Sequence, residues 1–87
     1  MSGFKYVVFQ MATEIEEITL FATTLSHREM SQAFCSYFRG AKPIRAGFCG
    51  VGVDGTMGAY GDSESLKLKS DPVVDSRMLN NINYRGF

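Results

Sequence analysis

The sequence predicts an α+β domain: a mainly antiparallel sheet of four to five strands, one main helix packed on a face and a short C-terminal helix, in the order ββαββ(β)α. Three stretches carry this reading. Phe4 to Met11 is β-branched and aromatic, as strands are. One capped, amphipathic segment follows Leu25 and reads as the main helix. Ile44 to Gly61 then holds two strand-like runs that meet at Asp54-Gly55, a strong short-range hairpin signal. Strands on both sides of one long helix make an antiparallel sheet with the helix across one face.

In the first strand neither face is polar, with Val7, Phe9 and Met11 on one side and Phe4, Tyr6 and Val8 on the other. Such a strand is either central in a covered sheet or pressed against another subunit. Met11 to Glu14 reads as a turn into a partner strand, Ile15 to Ala22, with Ile18, Leu20 and Ala22 on one side and Glu17, Thr19 and Phe21 on the other. Ser26 to Glu29 is a capping box, with Leu25 and Met30 in the positions of a hydrophobic staple. Met30, Ala33, Phe34, Tyr37 and Phe38 then follow the spacing of one buried stripe. Gly40 stands where a left-handed cap would close the helix, and Pro43 prevents its resumption.

In the hairpin, a two-residue turn at Asp54-Gly55 pairs Val53 with Thr56 and, further out, Gly50 with Ala59 and Phe48 with Gly61. One face then carries Gly50, Gly52 and Ala59 as a flat floor framed by Phe48 and Met57. Glycine inside a strand weakens it, so this concentration marks a bulge or the close approach of another body, which could be a helix, another chain or a ligand, with a packed helix ahead of a ligand. Leu66 to Lys69 alternates like a short edge strand with its lysines in water. Asp71-Pro72 starts a second helix with Val74, Met78 and Ile82 as its apolar stripe. Asn80 and Asn81 are expected to end it, leaving Asn83 to Phe87 as a tail.

At 87 residues the chain is read as one domain, 1 to 87. Domains this small bury only about 60% of their unfolded surface and are marginally stable alone. Aromatic residues reach 13% of the chain, which, with the apolar Phe4, Tyr6 and Val8 face, predicts a homo-oligomer. Nine basic residues balance nine acidic ones, which argues against DNA binding by bulk electrostatics. No run approaches the roughly 20 apolar residues of a membrane span, and no secretory signal is recognisable. A reducing cytoplasm with Cys35 and Cys49 free is therefore expected.

No catalytic set emerges. His27 and Cys35 lie about 12 Å apart along one helix, too far for a hydrogen bond, and no metal spacing or cofactor motif is present. An anion would meet Arg39, Lys42 and Arg45, of which Arg45 is best held by backbone and best suited to fork onto two oxygens. Ser63 and Ser65, in the polar turn after the hairpin, are expected near the same end of the sheet and complete one mixed ligand site.

The pattern GF..V..DG....YG.SESL.LKS.P..D, from Gly47 to Asp75, together with the strand-rich start, resembles small accessory proteins encoded by tailed phages and prophages. That resemblance implies a cytosolic anti-defence protein without enzymatic activity. Such a protein would act as an oligomer that sequesters a nucleotide-like anionic ligand, or as an inhibitor that binds a host defence protein.

Overall fold

The computed structural model describes the backbone of residues 3 to 84 and the side chains of residues 3 to 81. Strands β1 (Phe4–Gln10), β2 (Glu16–Phe21), β3 (Lys42–Val51) and β4 (Met57–Tyr60) form one antiparallel sheet in the order β2-β1-β3-β4. Strands β5 (Asp62–Ser63) and β6 (Leu68–Lys69) make a separate small ribbon, and helices α1 (His27–Tyr37) and α2 (Pro72–Tyr84) complete the α+β fold. The first strand is central and covered on both faces. Tyr6 and Val8 are buried with Cys49, Ala59 and Leu79 on the α2 side. Val7, Phe9 and Ala46 are buried on the other side against Phe34 and Cys35 of α1 and Leu66 and Leu68 of the small ribbon. Each large apolar side chain so buried contributes about 1.5 to 3 kcal/mol. The face of Tyr6 and Val8, expected to need a second subunit, is covered within the chain by α2.

Helix α1 starts as the sequence dictates. The Ser26 hydroxyl accepts from the Glu29 amide at 3.0 Å and the Glu29 carboxylate accepts from the Ser26 amide at 3.1 Å. Its buried stripe is rotated from the expected one. His27 and Ser31 are buried and Met30, Phe34 and Cys35 half-buried, whereas Ala33 is exposed, Tyr37 is 85% exposed and Phe38 45%. The same helical spacing, counted from His27 instead of Met30, points the axis of the stripe at the sheet. Phe34 belongs to both stripes and lies flat on Phe9, centroids 3.9 Å apart. Leu25 is likewise exposed. Gly40 takes the expected left-handed φ of 83°, and any Cβ there would strike Ala12.

The hairpin forms one residue out of the expected register. Gly50 pairs with Gly58, Cys49 with Ala59 and Phe48 with Tyr60. The loop has three residues, Val53, Asp54 and Gly55, closed by the Gly52 amide on the Thr56 carbonyl at 2.8 Å, with only Gly55 of the loop at positive φ. A type I turn followed by a left-handed glycine is the usual three-residue solution. Asp54 favours it because its carboxylate accepts from the Thr56 amide and hydroxyl at 3.1 and 2.7 Å. The slip changes the faces: Cys49, Ala59 and Met57 belong to the α2 cluster, and the floor on the other side is Gly50 and Gly58 beside Phe48 and Tyr60.

Helix α2 runs past Asn80 and Asn81 to Tyr84, and among its described side chains Asp75 and Leu79 are buried while Val74 is exposed. The stripe position assigned to Ile82 and the tail residues 85 to 87 lie outside what is described. Asn80 has a different task from the expected stop. Its side-chain amide accepts from the Met57 N–H at 2.8 Å and donates to the Met57 carbonyl at 2.9 Å, while Ser76 Oγ accepts from the Ala59 N–H at 2.9 Å. The outer edge of β4 is thereby closed by the helix. Among the described residues no helix is long and apolar enough to cross a membrane.

Candidate functional site

The structure separates the residues expected to share one ligand site. Arg45 lies on the α2 side, where its Nε donates to Asp75 Oδ1 at 2.7 Å and its Nη2 to Glu16 Oε1 at 2.6 Å. Asp75 is fully buried and also accepts from the Tyr6 hydroxyl and from the Asp71 amide. Burial works against the Arg45 charge, but the bonds to Glu16 and Asp75 outweigh it and raise its pKa. Burial first, and the Asp75 carboxylate second, push the Tyr6 hydroxyl above its ordinary range. The guanidinium fork is therefore occupied in linking β3 to α2 and to the edge strand β2.

Ser63 and Ser65 stand on the opposite, α1 side. Ser63 is buried and its hydroxyl accepts from the Leu66 amide at 3.2 Å, while Ser65 Oγ accepts from the Arg28 amide at 3.2 Å. Arg39 follows α1 and Lys42 begins β3, both exposed, at the other end of that strand from Gly50. The sheet thus stands between Arg45 and the serines, and the expected mixed site is not assembled.

What the α1 side does hold is an open shelf. Register places Lys5, Phe48 and Tyr60 in one row across β1, β3 and β4, with the Gly50 and Gly58 pair as the next row. Phe48 and Tyr60 stack with centroids 6.0 Å apart, and Tyr60 is 56% exposed. Gly3, Gly50, Gly52, Gly58, Thr56 and Tyr60 border a depression of about 440 Å³. A Cβ built on Gly50 or Gly58 would meet nothing within 4 Å, and neither residue has positive φ. Contrast Gly47, where a Cβ would lie 2.6 Å from the Tyr60 carbonyl oxygen. Gly47 is required by packing, but the two floor glycines are not.

Beside the shelf, Lys5, His27, Phe48, Asp62, Glu64 and Ser65 border a second depression of about 370 Å³. His27 is 4% exposed and stands edge-on between Phe21 and Phe48, 5.5 and 5.4 Å away. Its Nε2 lies 2.8 Å from the Gly47 carbonyl oxygen and so carries the donated proton. Burial, joined by the charge of Lys5, lowers its pKa against the pull of that carbonyl. Neither thiol is activated: burial raises Cys35, and raises Cys49 to about 11, where a nucleophile needs the reverse. Among the described residues no three of His, Cys, Asp and Glu are grouped to hold a metal ion. Comparison with protein-family models, with curated proteins and with solved structures finds no match.

The sequence places Gly50, Gly52 and Phe48 on this face but, through the one-residue register error, gives it Ala59 and Met57 in place of Gly58 and Tyr60. Lys5 and Asp75 gave no signal of their own, because a lysine in a strand and an aspartate in a helix are ordinarily solvated.

Proposed function

We propose that the protein is a non-enzymatic binding protein and that its site is the glycine shelf. Its ligand carries a flat aromatic ring, a nucleobase in the sequestering, anti-defence role that the resemblance to phage accessory proteins implies. The observation behind this reading is the Gly50–Gly58 pair, whose missing side chains leave space that no described residue fills. Strand glycine is costly, and its common compensation is another element packed closely against the backbone. With that compensation absent among the described residues, the flatness suits a body from outside. A ring laid on the two glycine backbones against Tyr60 gains the roughly 1 to 3 kcal/mol of base–aromatic stacking. Lys5, on the adjoining rim, offers a cation to a phosphate, while Asp62 and Glu64 on the same rim weaken that field. Affinity therefore rests on the ring more than on charge.

A second reading, an inhibitor that covers a host defence protein, uses the same shelf for a partner's side chain. It is favoured by the exposure of Val51, Val53 and Tyr60 around the floor. Calorimetric titration of the wild type and of Gly58→Val with a panel of cyclic and linear nucleotides separates the two. Gly58→Val should fold at least as stably as the wild type, since valine suits a strand, and should bind no nucleotide. If the wild type binds none of the panel, the ligand reading yields to the inhibitor; if Gly58→Val binds as the wild type does, the shelf is not the site.

A further inference from the structure

The two edges of the sheet are finished differently. Strand β4 is closed by Asn80 and Ser76, whereas among the described residues no side chain hydrogen-bonds to the backbone of β2, the opposite edge strand. An uncovered edge is a template for another strand. Beside it, Met11, Thr19, Phe34 and Phe38 help to line a groove of about 290 Å³, and Tyr37, next to Phe38 on the helix, is almost fully exposed.

We infer that β2 pairs antiparallel with β2 of a second copy of this chain, about a twofold axis through Thr19, so that two four-stranded sheets become one of eight strands. The choice of occupant rests on charge. Strand β2 is acidic at its start, with Glu16 and Glu17, and its end lies beside Lys5, the β1 partner of Phe21, whose ammonium reaches over to the Leu25 carbonyl at 2.9 Å. Glu16 is engaged by Arg45, and among the described residues Glu17 has no ion-pair partner. Antiparallel pairing on Thr19 sets Glu17 of each copy opposite Phe21 of the other, in the same row as that copy's Lys5. Parallel pairing would instead bring glutamate beside glutamate. On the α2 side the same register faces Ile18 with Leu20, apolar on both strands. An isologous contact of this kind repeats every favourable pair twice.

The dimer does not require the proposed ligand, since β2 and the glycine floor occupy different parts of the sheet, but both draw on the charge of Lys5. Sedimentation velocity over the micromolar range should give a dimer for the wild type. Thr19→Lys, which sets two ammonium groups on the axis, should give a monomer with unchanged circular dichroism. Thr19→Cys should oxidise to a covalent dimer much faster than the wild type. A residue on the axis faces itself at about 4.5 to 5.5 Å between Cα atoms, within disulfide reach. A monomeric wild type, a dimeric Thr19→Lys protein, or a Thr19→Cys protein that crosslinks no faster than the wild type overturns the inference.

Discussion

On one face of the sheet charge is consumed by the fold; on the other, surface is left over. Beneath α2, Glu16, Arg45, Asp75 and Tyr6 form one chain of hydrogen bonds among Cys49, Ala59 and Leu79. Each member is satisfied by the next, so the helix is fixed in one place at the expense of any free cation there. Beneath α1 the contacts are aromatic: Phe9 on Phe34, and His27 between Phe21 and Phe48. That helix covers the sheet only as far as His27 and leaves the glycine rows bare. The contrast teaches that an arginine placed well for a ligand by its strand position is equally well placed for a buried carboxylate.

The largest effect expected from this contrast is at Asp75. Replacing it by alanine leaves the Arg45 guanidinium, the Tyr6 hydroxyl and the Asp71 amide short of a partner, and breaking a buried pair in this way costs about 3 to 5 kcal/mol. Urea denaturation should show that loss, and a wild-type midpoint for Asp75→Ala would mean that the network does not hold α2. On the α1 side the expected effect is smaller and depends on the rotated stripe. Phe34→Ala should cost about 3 kcal/mol, the low end for a phenylalanine because it is only partly buried. Phe38→Ala should cost less than about 1 kcal/mol, as surface changes do. Equal losses at the two positions would restore the stripe first expected from the sequence.

The smallest effect is a pH dependence. His27 is held neutral by burial, with its folded pKa below the ordinary 6.5. Below that pH the unfolded chain binds a proton that the folded one refuses, so stability is full above it and falls as the pH drops through it. Denaturation on either side of that value should show the slope in the wild type and a flatter profile in His27→Gln. An identical slope in the two proteins would place His27 in water.

Much of the fold was legible because local chemistry decided it. The capping box at Ser26, the left-handed Gly40 and the central apolar β1 each follow from residue type at fixed spacing. Failures arose where two local solutions compete within a small energy range. Asp54-Gly55 suits a two-residue turn or a three-residue turn with a bulge, and the side-chain bonds of Asp54 to Thr56 select the second. The apolar periodicity of α1 can be counted from Met30 or from His27, and only the position of the sheet distinguishes them. Counting one covering helix instead of two made β1 look like an interface. The fate of Arg45 was illegible for a different reason: its partners, Glu16 and Asp75, stand 29 and 30 residues away.

The bond between Tyr6 and Asp75, which joins residues 69 positions apart, also constrains how the protein comes into being. The central strand is made before the rest of the sheet, yet one of its faces has no cover until the segment carrying Asp75 and Leu79 has been made. Until then β4 also keeps an open edge, because Ser76 and Asn80 close it. A nascent chain therefore carries a bare apolar face and an unpaired strand together, the combination that invites aggregation. Any truncation ahead of α2 should therefore yield an insoluble chain in place of a smaller folded one.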